Sequence, residues 1–114
     1  MLRVMTFNAN GIRSAGKKGF WTWFEKQDAD VLCVQELKAQ QKDIPEAYQN
    51  LPGYTAWFQC AQKPGYSGCG LWSRVEPEHV QIGFGVPEFD AEGRYVRADF
   101  ERVSIICAYF PSGT

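Results

Sequence analysis

The chain has 114 residues, 45% of them hydrophobic and 15% aromatic, with a formal charge of -1. That is apolar material for one packed domain, and it excludes a disordered or low-complexity segment. The near-neutral total hides a segregation: residues 1–24 carry Arg3, Arg13, Lys17 and Lys18 with no acid, whereas residues 76–101 carry seven acids against Arg94 and Arg97. A local positive patch is therefore compatible with the balance.

In chain order, Leu2 to Phe7 is a β-favouring apolar run closed by Asn8-Ala9-Asn10-Gly11, a turn sequence. Residues 17–28 place Phe20, Trp21, Trp23 and Phe24 at helical intervals among charged positions, which predicts one amphipathic helix. Val31-Leu32-Cys33-Val34 is an unbroken apolar run of the kind found in strands covered on both faces. Strand, helix, strand makes a βαβ unit whose right-handed crossover sets the two strands parallel. Ligands in open α/β sheets settle beyond the carboxyl ends of the strands, so Asn8 and Glu36 are expected at one edge.

A second helix is expected over about residues 43–50. Five further strands follow: Tyr54 to Gln59, Gly68 to Ser73, Val80 to Phe84, Tyr95 to Phe100 and Val103 to Phe110, with Glu101-Arg102 as a tight connection. Val96, Ala98 and Phe100 alternate with Tyr95, Arg97 and Asp99, which predicts one buried and one wet face. No repeat or linker interrupts the order, so residues 1–114 read as a single partial domain without an internal boundary. The chain stops directly after an apolar strand, which suggests a truncated chain.

Cys33, Cys60, Cys69 and Cys107 lack paired metal-ligand spacing and read as reduced core residues, which suits a cytoplasmic protein. No signal-peptide core or membrane-length apolar stretch is present, so no membrane partner is expected. His79, the single histidine, sits among acids and reads as a surface residue. With no Ser/His/Asp set, any hydrolysis needs a metal and a base from elsewhere.

Glu36 ends an apolar strand, where a carboxylate wants a partner. Mg²⁺ is one, because it takes oxygen ligands and often uses only one or two carboxylates alongside phosphates. An ion pair with Lys38 or Arg13 is the ordinary alternative. Asn8 and Asn10 suit a pure turn, or else a phosphate contact or the bracing of a metal-bound carboxylate. Arg13, Lys17 and Lys18 suit phosphate binding or a solvated helix start. Gly65-Tyr66-Ser67-Gly68 permits close backbone approach to a ligand, or is a hairpin loop. Tyr109 either hydrogen-bonds a phosphate or packs in the core.

Five segments in order then resemble the exonuclease III and AP endonuclease family, within the endonuclease/exonuclease/phosphatase superfamily. They are Thr6 to Arg13, Val34 to Lys38, Gly65 to Gly70, Glu92-Gly93-Arg94 and Ala108-Tyr109-Phe110-Pro111. The resemblance implies an α/β fold, the amino-terminal half of a four-layered α/β sandwich with mixed β-sheets. It implies Glu36 as the carboxylate ligand of Mg²⁺, or of Mn²⁺ in its place, with Asn8 beside it. Tyr109 would orient the scissile phosphate, while Asn10, Arg13, Lys38, Gly65 and Tyr66 would line the DNA path or brace the metal site.

The implied chemistry is hydrolysis of DNA phosphodiesters, as an abasic-site endonuclease and a 3′ to 5′ exonuclease in DNA repair, on double-stranded DNA with abasic sites or 3′ ends. Ser112 stands where many relatives carry Asn or Gln, and reaches less far toward a phosphate. The family's Gly-Asp-x-Asn segment and terminal Asp-His pair have no counterpart here, so the fragment itself is expected to be inactive without its carboxy-terminal half. Two other readings stay open: a superfamily phosphodiesterase acting on a non-DNA substrate, and a non-catalytic fragment that binds DNA or a partner.

Overall fold

The computed structural model describes residues 1–111 and shows an α/β body of two stacked sheets. The first sheet contains β1 (Val4–Asn8), β2 (Val31–Gln35), β3 (Thr55–Gln59) and β4 (Cys69–Ser73) in the order β1-β2-β4-β3. β1 and β2 are parallel, as the crossover rule requires, and the other pairs are antiparallel. The second sheet is an antiparallel meander of β5 (His79–Ile82), β6 (Tyr95–Asp99) and β7 (Ser104–Ala108).

The period-two alternation of side chains sorts the core into two layers. Leu32 and Val34 on β2, Phe58 on β3 and Trp72 on β4 face the helices, where Ile12, Phe20, Trp21 and Phe24 cover them. Val31, Cys33, Cys69 and Leu71 face the second sheet and meet Val96, Ala98 and Cys107. All four residues of the Val31–Val34 run are accordingly buried, two on each face. The cysteines of this layer are thiols, as is the half-buried Cys60.

Three local expectations are corrected. The helix expected over 17–28 is two short helices, α1 (Ile12–Lys17) and α2 (Phe20–Glu25), interrupted at Gly19 with φ 96°. Gly16 is packed so tightly that a Cβ there would collide with the Tyr48 ring, and two glycines so close weaken helical continuity. Trp23, counted with the apolar face, is 49% exposed. The helix expected over 43–50 is a 3₁₀ turn (Gln41–Asp43) followed by α3 (Glu46–Gln49). Between β5 and β6 lies α4 (Pro87–Asp90), begun by Pro87 and held by Asp90, whose carboxylate accepts Phe84 N at 2.7 Å and Gly85 N at 3.1 Å. Tyr95, assigned to a wet face, is buried, its ring 4.3 Å from that of Phe84.

β7 lies over β2, and β6 over β3 and β4. The second sheet thus stops short of β1, leaving Val4, Thr6 and Asn8 exposed. β1 and β7 are both edge strands on this side of the sandwich, and Val103 and Ile106 add exposed apolar surface there. No helix among the described residues is long and apolar enough to cross a membrane.

Candidate active site at the strand ends

Asn8 is the last residue of β1 and faces Gln35, the last of β2, in the parallel register. The pairing continues past both strands, with Ala9 N donating to Gln35 O at 2.9 Å, Gly11 N to Glu36 O at 2.8 Å and Ile12 N to Leu37 O at 2.9 Å. The two segments singled out from the sequence therefore run side by side. The β3–β4 loop is stitched on next: Leu37 N donates to Gly68 O at 3.0 Å and Lys38 N to Ser67 O at 2.8 Å.

Backbone strain concentrates here. Among the described residues five non-glycines have positive φ, and four of them, Asn10 (47°), Glu36 (53°), Lys38 (51°) and Ser67 (50°), lie in this cluster. Each left-handed residue costs about 1 kcal/mol and persists only where its surroundings over-determine it. The bonds just described supply that constraint, and the turn at Glu36 carries its side chain off the β2 pleat.

Asn8 Oδ1 accepts from Asn10 N at 3.1 Å, so the turn role holds. Lys38 Nζ donates to Asn10 Oδ1 and stands 3.7 Å from Glu36 Oε1. That is the ordinary ion pair for Glu36, but it is long, and the Glu36 carboxylate accepts no hydrogen bond among the described residues. Arg13 does not pair with Glu36. Its Nη2 donates to Lys38 O at 3.3 Å, which places the guanidinium over the same turn. Gly11, Arg13, Ser14, Lys17, Lys38 and Gly65 line an open groove of about 490 Å³, so the basic residues of the first segment gather beside the strand ends. Lys18 instead lines a neighbouring hollow with Phe7 and Phe20.

The second sheet brings the remaining wall. Tyr109 follows the end of β7, its N–H donating to Arg94 O at 3.1 Å and its half-buried ring packing on the inter-sheet core. Two residues back on the same face, Cys107 Sγ lies 3.4 Å from Val34 O and 3.8 Å from Gln35 Nε2. β7 therefore delivers Tyr109 to the same end of the sandwich as Asn8 and Glu36. Neighbouring thiols and burial push Cys33 and Cys107 well above the usual thiol range, and both are buried, the setting of an inert structural thiol. Ser112 lies outside the described residues, and His79 is exposed on β5 at a distance from the cluster in sequence and sheet order.

Two contributors had no role assigned from the sequence. Gln35 Nε2 donates to Thr6 Oγ1 at 2.9 Å, tying β1 to β2 one step below Asn8. Arg94 Nη2 donates to Tyr66 Oη at 3.1 Å, and Gly93 O accepts Gly68 N at 3.0 Å. The third and fourth motifs are thus one physical unit. Gln35 lies in the second motif and Arg94 in the fourth, but their partners are far away in sequence.

The arrangement is a carboxylate and an amide at parallel strand ends, flanked by a phenol and a basic groove, which suits recognition of a phosphodiester. The sequence profile of the Endonuclease/Exonuclease/phosphatase family matches residues 5–107. The chain belongs to this family. It is 34% identical over 99% of its length to the DNA repair nuclease APEX1 of Danio rerio, of which it covers 37%. It is 35% identical over 97% of its length to an exodeoxyribonuclease of Bacillus subtilis (strain 168), of which it covers 43%. Among solved structures it resembles an AP endonuclease from Archaeoglobus fulgidus, with a TM-score of 0.79, 33% identity, and coverage of 96% of this chain and 41% of the other. The chain therefore spans well under half of these relatives, and the α/β fold of the family's first part is what it contains.

Proposed function

We propose that the chain is the amino-terminal half of a Mg²⁺-dependent DNA-repair nuclease that hydrolyses phosphodiesters at abasic sites and from 3′ ends. The observation that carries the reading is the emergence of Asn8 and Glu36 at adjacent parallel strand ends, in a cluster of left-handed residues beside the groove of Arg13, Lys17 and Lys38, with β7 carrying Tyr109 to the same end. Relatives named as DNA repair nuclease and exodeoxyribonuclease support the choice of DNA over another phosphodiester.

The donor set fits a hard cation. Glu36 and Asn8 offer oxygen, and no cluster of three or more His, Cys, Asp or Glu competes for a softer metal among the described residues. Glu36 and Asn8 would hold Mg²⁺, or Mn²⁺ in its place, which when bound supplies positive charge beside the scissile phosphate. Lys38 sets the polar end of Asn10 and keeps a second cation near the carboxylate. Tyr109 would orient a phosphate oxygen through its hydroxyl, and Arg13 and Lys17 would hold the flanking backbone.

The rest of the machinery belongs to a carboxy-terminal half, and on this reading the 114 residues alone do not turn over. The unpaired β1 and β7 edges, with Val4, Val103 and Ile106 exposed, suit coverage by that half. Cytoplasmic residence is part of the proposal, in keeping with four free thiols.

The test is incision of an abasic-site duplex by the longer protein carrying this chain, with and without Mg²⁺. Glu36→Ala is expected to lower kcat by about 100-fold or more at unchanged thermal stability. Undiminished Mg²⁺-dependent cleavage by that variant would overturn the assignment.

A further inference from the structure

The β3–β4 loop is held from two sides, and the second attachment is a single short segment. Gly93 O accepts Gly68 N at 3.0 Å and Ser67 Oγ at 3.3 Å. The backbone of Gly93 lies so close under the loop's start that a Cβ would stand 2.5 Å from Ala61 N. One residue on, Arg94 reaches back over the same loop to Tyr66 Oη. Its guanidinium is otherwise engaged only by Glu92 at 3.6 Å, and its Nε finds no acceptor among the described residues. Meanwhile Lys63 Nζ sits 5.3 Å from the centroid of the Tyr66 ring.

These contacts fix what the loop presents. A charged donor on the phenol oxygen immobilises the ring and leaves its own O–H free to donate. It also polarises that O–H, because bonds in a chain strengthen one another. The ring in turn carries the Lys63 ammonium by cation–π attraction. Without Arg94, the Tyr66 ring is left on the open Gly65 side of the loop, where nothing lies within 4 Å of a Cβ at Gly65 and the backbone turns freely.

We propose that Arg94 is a positioning residue, which sets Tyr66 and Lys63 against the backbone of a bound duplex by holding Tyr66 Oη. It rests on the reading of Gly65 and Tyr66 as DNA-contacting, and it assigns Glu92-Gly93-Arg94 as the brace of that loop.

The experiment uses the ¹⁵N-labelled longer protein carrying this chain in two arms, amide hydrogen exchange and fluorescence anisotropy with a duplex oligonucleotide carrying an abasic-site analogue. The exchange reporters are Lys38 and Gly68 N–H, which bond to and from the loop, with the central strand β4 as reference. Arg94→Gln and Tyr66→Phe are each expected to speed reporter exchange and weaken DNA binding about fivefold, the value of one hydrogen bond. The double variant is expected to be no worse than either single, and Arg94→Lys, which keeps a cationic donor, to recover most of the loss. Additive losses, unchanged reporter exchange, or an equal rise across β4 would overturn the positioning role. Coupled loosening with DNA affinity unchanged, or with no binding by any variant, would keep the brace and overturn the DNA reading instead.

Discussion

Gly93→Ala puts the packing of the candidate site to a quantitative test. A methyl at this position would lie 2.5 Å from Ala61 N, 2.7 Å from Cys60 C and 2.9 Å from Gln59 O. All three are backbone atoms leaving β3, so no side-chain rotation relieves the contact. Forcing non-glycine backbone to the observed φ of 63° costs about 1 kcal/mol. The backbone shift that makes room costs about 2 kcal/mol more. Gly53→Ala is the matched control, since Gly53 has φ 84° with nothing within 4 Å of a Cβ, and it bears only the first cost. In urea unfolding followed by tryptophan fluorescence, Gly93→Ala is expected to lose about 3 kcal/mol, a midpoint shift of about 1.5 M, and Gly53→Ala about 1 kcal/mol. Losses within about 0.5 kcal/mol of each other would show that the loop yields freely, and would refute the claim that Gly93 is a rigid support.

Asp30 accepts Arg3 N at 2.7 Å and Arg74 Nε at 2.8 Å, and these bonds hold its carboxyl below the ordinary range. Its stabilising contribution is therefore complete above the unfolded value of about 3.9 and disappears as pH falls through the lower folded value. The melting-temperature gap between wild type and Asp30→Asn should be widest near neutrality and narrow as acid protonates the folded carboxyl; a gap independent of pH would contradict this. Trp72 is fully buried and donates Nε1 to Tyr48 O at 2.8 Å. Trp72→Phe should cost about 2–3 kcal/mol through lost volume and an orphaned carbonyl, and a loss under about 1 kcal/mol in denaturant unfolding would show that the helix-side core repacks. If Arg13 meets one phosphate, Arg13→Ala should reduce the slope of log K against log salt for duplex DNA by about 0.9, while His79→Ala leaves it unchanged. Equal slopes for the two variants would remove Arg13 from the DNA path.

The helix boundaries and the wet face of β6 depart from the sequence pattern for related reasons. The spacing of Phe20, Trp21, Trp23 and Phe24 marks a helix, but it does not register that Gly16 must yield to Tyr48 and that Gly19 turns left-handed. Alternation likewise assigned Tyr95 to solvent, whereas Phe84 arrives from beyond β5 to cover it. Local pattern reports which residues share a face, and it is silent on what another part of the chain lays across that face.

What the sequence determined by itself was the strand framework and its punctuation. Four consecutive apolar residues demand cover on both faces of β2, the βαβ order forces β1 and β2 parallel, and the polar residues after each strand must emerge at one edge. Only the tertiary structure decided how that edge becomes a site. It set Cys107 against Gln35, 72 residues away, brought Arg94 to Tyr66 across 28 residues, and bent Glu36 and Lys38 into left-handed turns. Such pairings are set by the stacking of two sheets, where side chains meet by register and crossing rather than by spacing along the chain.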